Sequence, residues 1–303
     1  MSNEEKYCAF IDVLGYKNFI LSSEKSIAEK LTFLSDIFKV HSLIAFEIKG
    51  VNLINNNSIF VKSFSDCIYF ESSDFFILIT TMHKVFNAYS NFYQNFDSTK
   101  HRSLIRGGLV KDWTEHFMDT ASLSRNNIDD VIRDKQGNYN YEFYNPVGPG
   151  IARAYLTSEK SNISGMRLII SPECLNNIEL SIYNKVNFEC YTINHSSLAN
   201  HGDKQLFLLP VLQTESGYKQ FELCWPANFI YDHPHPELVI EEIANNLSKM
   251  KDNCKSGGEK HFTATVDLLK KGVEINLSLP SFSDHYNNLL TLKHKLDTEE
   301  FKF

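Results

Sequence analysis

Tyr7-Cys8-Ala9-Phe10-Ile11-Asp12-Val13-Leu14-Gly15-Tyr16 and Ile59-Phe60-Val61-Lys62-Ser63-Phe64-Ser65-Asp66-Cys67-Ile68-Tyr69-Phe70 are the two stretches on which the fold turns. The first predicts a buried strand over residues 6–13, after which Gly15 lets the backbone turn into a short helix. The second predicts a hairpin, with strands over 58–64 and 67–71 joined at Ser65-Asp66. Each carries an aspartate at a break in apolar sequence. Burying a carboxylate is costly unless positive charge compensates it, so two such acids point to a shared cation. Taken singly, Asp12 also fits a helix N-cap and Lys62 a solvent-facing strand residue.

Further elements follow in a regular order. Ile27, Leu31, Leu34 and Phe38 recur at helical spacing and predict an amphipathic helix over 24–40, started near Ser22 or Ser23. Ser72-Ser73-Asp74 caps a predicted helix of 75–94, and Ser103 to Val110, containing Arg106-Gly107-Gly108, reads as a strand. Residues 112–142 are polar and read as an irregular insertion. Gly148-Pro149-Gly150 opens a helix to about Glu159; a strand at 168–171 and weaker strands at 187–193 and 205–212 complete the pattern. The succession β-α-α-β-β-α-β-α-β predicts an α+β fold with a palm-like, ferredoxin-like sheet flanked by helices. Beyond residue 213 prolines mark a linker, and helices are expected over 237–248, 261–271 and 284–298. The chain therefore divides into 1–213 and a linker with helical extension, 214–303.

Composition narrows the function. At 303 residues, 43% hydrophobic and 22% charged, the chain is of ordinary globular type. Its 37 acids against 30 bases give a formal charge of -7, which disfavours a broad nucleic-acid-binding face. Cys8, Cys67, Cys174, Cys190, Cys224 and Cys254 show no C-x-x-C spacing, which fits a reducing cytoplasm. No secretory h-region follows the N-terminus, and no apolar run reaches the ~18 to 20 residues that span a bilayer. Phosphate-loop, zincin and serine-hydrolase signatures do not occur. His233-Pro234-His235 reads as a linker loop, because no further ligand cluster accompanies it.

In that topology the strand ending at Asp12 and the hairpin carrying Asp66 would be neighbours at ~4.8 Å, so both carboxylates could reach one or two Mg²⁺ or Mn²⁺ ions, for which carboxylate ligation is suited. The amides from Leu14 through Gly15 and Tyr16 to Lys17 begin a helix whose N-terminus suits polyphosphate. In these residues the chain resembles class III nucleotidyl cyclases. Phe10-Ile11-Asp12-Val13-Leu14-Gly15-Tyr16 looks like their F-x-D-[I/V]-x-G-[F/Y] metal motif, and Lys62-Ser63-Phe64-Ser65-Asp66 resembles their K-x-x-G-D hairpin. Arg106-Gly107-Gly108 matches an R-x-G strand, and Asn145-Pro146-Val147-Gly148 falls on D-x-x-G. The resemblance spans residues 6–213. Within the class, the Arg-Gly-Gly strand, the Gly-Pro-Gly helix start and Ala154-Tyr155 look most like the bacterial antiphage Pycsar pyrimidine cyclases.

The resemblance implies two Mg²⁺ or Mn²⁺ ions held by Asp12, Asp66 and the Val13 carbonyl, with Lys62 and Asn145 at the positions that read the base. It implies a nucleoside triphosphate substrate and a homodimer with composite sites. An effector activated by the cyclic product would act downstream. The family's transition-state asparagine and arginine fall on Ala152 and Leu156, which implies either that another group such as Arg106 or Arg153 stands in for them or that catalysis is weak or absent. A pyrimidine substrate, UTP before CTP, is the expected reading; a purine cyclase and a catalytically inactive nucleotide-sensing or scaffold domain are the alternatives.

Overall fold

The computed structural model of the chain describes residues 4–55, 59–91, 104–118, 144–160, 164–194, 205–211, 220–228, 258–280 and 285–302, with single positions between 238 and 251. Its elements run β1 (Glu5–Val13), α1 (Tyr16–Leu21), α2 (Ile27–Asn55), β2 (Phe60–Phe64), β3 (Cys67–Ser72), α3 (Phe75–Asn91), β4 (Ile105–Trp113), β5 (Glu115–Met118) and β6 (Tyr144–Val147). Then come α4 (Pro149–Lys160), β7 (Leu168–Ile170), β8 (Leu180–Ile182), β9 (Tyr191–Asn194), β10 (Gln205–Val211), β11 (Gln220–Leu223), α5 (Trp225–Asn228), α6 (Glu259–Leu277) and α7 (Tyr286–Leu296).

Nine strands form one sheet in the order β2-β3-β1-β4-β7-β11-β10-β9-β8, while β5 and β6 make a separate ribbon. The first four strands carry the predicted palm. Two β-α-β crossovers, each skipping a position, interleave so that β1 lies between β3 and β4 with every neighbour antiparallel. The fold is α+β, a large sheet flanked by helices, as the sequence predicts. Alternation along the strands divides the two faces. Ala9, Ile11, Val13, Ile68, Phe70, Ile105 and Leu109 face the main core with α2 and α3, whereas Cys8, Tyr69, Phe60 and Val110 cluster with Ala154 of α4 on the other side.

Four local readings change. Helix α2 continues to Asn55, and its cap is Ser26, whose Oγ accepts from the Glu29 amide at 3.2 Å while Glu29 Oε2 accepts from the Ser26 amide at 2.9 Å. Its buried stripe is Phe33, Ile37, Ile44 and Ile48; Ile27, Leu31 and Phe38 point to solvent. The stretch read as irregular from residue 112 contains the end of β4 and all of β5, and residues 119–143 lie outside the described residues. The linker read after residue 213 contains β11, which pairs with β7 and β10 inside the sheet. Its Glu222 is buried because Arg167 meets both carboxylate oxygens, at 2.7 and 2.6 Å. Helices α6 and α7 bury Phe262, Leu269, Val273, Leu289 and Leu296 in the same core as the sheet. His233, His235 and Cys254 lie outside the described residues.

Candidate functional site

Asp12 is a strand residue, paired with Cys67 on one side and Arg106 on the other; the N-cap of α1 is Gly15, at φ 82° in the left-handed region. Glycine is favoured there because a Cβ would meet the following carbonyl. The Val13 amide donates to the Asp66 carbonyl at 3.3 Å, which ties the end of β1 to the hairpin tip. The tip itself turns through Ser65 at φ 52°, and the Ser65 and Tyr16 hydroxyls are hydrogen-bonded at 2.9 Å. These backbone restraints bring ligand atoms of Asp12, Asp66 and Cys67 to within 4.8 Å of one another.

Arg106 donates to Asp12 Oδ2 at 3.4 Å and forms a second ion pair with Glu159 of α4. The Cys67 thiol lies 3.4 Å from Asp12 Oδ1 and 3.6 Å from Asp66 Oδ1. Burial pushes the Asp12 carboxyl above the ordinary carboxylate range; the Cys67 thiol and Arg106 oppose that shift and Asp66 adds to it. The carboxylate is thus only partly compensated by protein groups. A hard divalent cation fits this donor set of two carboxylates, one on β1 and one at the tip of the adjoining hairpin.

Gly107 and Gly108 owe their small size to close packing on opposite faces. A Cβ on Gly107 would press on Ile11 and Leu168, and one on Gly108 would enter the backbone of α4 at Ala154 and Ser158. Strand β4 therefore holds Arg106 against Asp12 while α4 lies directly over the strand. Gly148, at φ 127°, leads into α4, whose first residue is Pro149.

Of the other predicted residues, Lys62 faces Tyr69 across the hairpin, on the same side of the sheet as Asp12. The Leu14 amide donates to the Leu104 carbonyl at 2.8 Å, while Tyr16 and Lys17 occupy the first turn of α1. Asn145 sits on β6 opposite Phe117. Arg153 pairs with Asp112 at 2.7 Å and with Glu173, and Asp112 holds its guanidinium charged even more firmly than usual. Asp112 lies opposite Lys6, six residues beyond Arg106 on β4, so the Arg153 guanidinium is drawn along the strand away from Asp12 within the chain. The sequence reading did not single out Cys67 or Glu159. Adjacency to Asp66 was a signal for Cys67; Glu159 has none, since only packing of α4 on β4 brings it to Arg106. The five described cysteines are free thiols, and no helix among the described residues is long and apolar enough to cross a membrane.

No protein-family model matches the sequence, and no curated protein does. Among solved structures, the chain is similar to the adenylyl cyclase CyaB from P. aeruginosa, at 13% identity over 74% of this chain and 96% of that one, with a TM-score of 0.44. It is similar to a bacterial light-regulated adenylyl cyclase at 9% identity, covering 80% and 97%, TM-score 0.42. It is also similar to the guanylate cyclase domain of RhGC from Catenaria anguillulae, in complex with GTP, at 10% identity, covering 73% and 96%, TM-score 0.40.

Proposed function

We propose that the chain is a metal-dependent nucleotidyl cyclase, in which the ribose 3′-oxygen attacks the α-phosphorus of a nucleoside triphosphate and pyrophosphate leaves. The observation that carries this reading is the juxtaposition of Asp12, whose own carboxylate is incompletely compensated, with Asp66 at the adjoining hairpin tip and Arg106 alongside. Asp12 and Asp66, with the Val13 carbonyl, would hold Mg²⁺ or Mn²⁺, two ions per site. Such ions lower the pKa of a coordinated hydroxyl and neutralise charge developing on phosphate. The first-turn amides of Tyr16 and Lys17, which have no acceptor within a helix, suit phosphate oxygens. Arg106 offers a guanidinium on the same side of the sheet as the carboxylates.

Lys62 and Asn145 are assigned to the base. An ammonium group only donates, which suits O4 of uracil or N3 of cytosine, and an amide both donates and accepts. UTP is favoured over CTP, the product being a 3′,5′-cyclic nucleotide that activates a separate effector in antiphage defence. The pairing of Arg153 with Asp112 and Glu173, away from Asp12 of its own chain, supports a two-fold homodimer, in which Asp12 and Asp66 of one subunit meet Asn145 and Arg153 of the other. Phe117, opposite Asn145, and Val147 of the ribbon are solvent-exposed, as are Tyr155 and Leu156 of α4, and these offer apolar surface for a partner.

A second reading has its own observation: Ala152 and Leu156, in the positions of the family's transition-state pair, stand exposed on α4 and supply no polar group. That reading is a nucleotide-sensing domain without turnover. The test is incubation with each of the four NTPs and Mn²⁺, with cyclic product and pyrophosphate both measured. The cyclase reading expects equal amounts of the two, largest for UTP, and loss of both by at least about 100-fold in Asp12→Ala and Asp66→Ala. Nucleotide binding without pyrophosphate under any divalent ion would establish the sensing domain instead, and dominant cAMP would remove the pyrimidine assignment.

A further inference from the structure

Cross-strand partners share a face, so the side of the sheet that carries Asp12 continues through Phe10, Tyr69 and Lys62 to Cys8, Glu71 and Phe60. At that far end lies a second polar cluster centred on Glu71. The residue is 3% exposed, yet four donors reach its carboxylate. Lys6 Nζ meets Oε1 at 2.5 Å, while Oε2 accepts from the Tyr69 hydroxyl at 2.9 Å, the Thr114 hydroxyl at 2.5 Å and His116 Nε2 at 3.1 Å. Burial alone would raise this carboxyl; His116, Lys6 and Thr114 outweigh it and hold the group down at about 2.

Two of the four donors do not belong to β1–β3. Thr114 links β4 to β5, and His116 lies on β5 itself. The His116 ring also stacks on Phe60 of β2, with centroids 4.2 Å apart and planes 27° from parallel. Among the described residues, β5 pairs with β6 and with no strand of the large sheet. Backbone hydrogen bonding therefore does not fix the ribbon to the face that carries Lys62. A charged hydrogen bond and a ring stack do. His116 pairs with Pro146 and Phe117 with Asn145, so His116 turns inward while Asn145, one register position later, lies on the ribbon's opposite side. Fastening one side of a two-stranded ribbon sets its rotation about its long axis, and with it the direction of the side chain next along.

We propose that Glu71 and His116 are positioning residues for base recognition, holding the β5–β6 ribbon so that Asn145 keeps a fixed offset from Lys62. The proposal rests on the cyclase reading for the nature of the ligand. Two substitutions separate the halves of the fastening. His116→Phe keeps the stack on Phe60 and removes the N–H, whereas His116→Gln keeps a donor near the Nε2 position and removes the ring.

In His116→Phe, the ratio of kcat/KM between the preferred NTP and the next best should fall about tenfold, through KM rather than kcat, because a hydrogen bond to a charged acceptor is lost. His116→Gln should keep that ratio within about threefold, and Glu71→Gln should reproduce the loss. Amides of residues 115–118 and 144–147 should exchange about tenfold faster in His116→Phe than in the parent protein. An unchanged ratio with a uniform fall in kcat for all four NTPs, or unchanged exchange in the ribbon, overturns the proposal. If the parent protein turns over no NTP, the cyclase reading fails by itself, and ribbon exchange in His116→Phe still decides whether His116 is the fastening.

Discussion

A carboxylate at position 12 costs the metal-free protein stability, and that cost is measurable. Its folded-state pKa lies above the ordinary value, chiefly through burial, so the contribution of Asp12 is favourable at low pH and is lost as pH rises through that pKa. Asp12→Asn should therefore raise the thermal midpoint of the metal-free protein at neutral pH, while Arg106 keeps its pair with Glu159. In the parent, Mn²⁺ at a hundredfold excess over its Kd should add about 2.7 kcal/mol, and in Asp12→Asn that increment should vanish. Thermal melts with and without Mn²⁺ check both. A variant less stable than the parent without metal, or one still stabilised by Mn²⁺, would remove the cation from this reading. Asp12 was legible in the sequence because a charged residue interrupting an apolar strand is locally anomalous. Glu71 was not, because its four partners come from residues 6, 69, 114 and 116, and most of them are distant in the chain.

Helix α2 supports the hairpin from behind, and one contact makes that support sensitive to acid. His41 is buried, with Nδ1 2.7 Å from Ser63 Oγ on β2, and burial lowers its pKa to about 4. Below pH ~6.5 the unfolded chain takes up a proton that the folded chain refuses until about pH 4, so stability falls across that window as pH drops. His41→Asn, which keeps a hydrogen-bonding group near Nδ1, should flatten the dependence of the thermal midpoint between pH 6.5 and 4; an unaltered slope would place its origin elsewhere. The hairpin and palm strands were readable because their β-branched and aromatic residues alternate with the sheet's own period. The orientation of α2 was not. Ile27, Leu31 and Phe38 lie along one stripe and Phe33, Ile37, Ile44 and Ile48 along another, and periodicity alone does not say which meets the sheet. Strand β11 escaped for a related reason: Gln220-Phe221-Glu222-Leu223 carries a buried acid whose partner, Arg167, is 55 residues away.

For the whole molecule, the proposed composite site predicts complementation between inactive chains. Asp66→Ala mixed with a chain altered at both Asn145 and Arg153 should regain up to about a quarter of parental activity, since random pairing makes half the dimers mixed and each mixed dimer holds one intact site of two. Activity with sedimentation as a monomer, or no recovery on mixing, would discard the dimer. The position of β11 has a consequence for how the chain is made. It lies between β7 and β10, so β8, β9 and β10 are synthesised before the strand that joins them to the palm. Until residue 223 has left the ribosome, the growing chain carries two sheet fragments with bare facing edges, at β7 and at β10. Such edges recruit other strands. An open β10 edge is thus a place where the unfinished chain is exposed to mispairing until β11 is made.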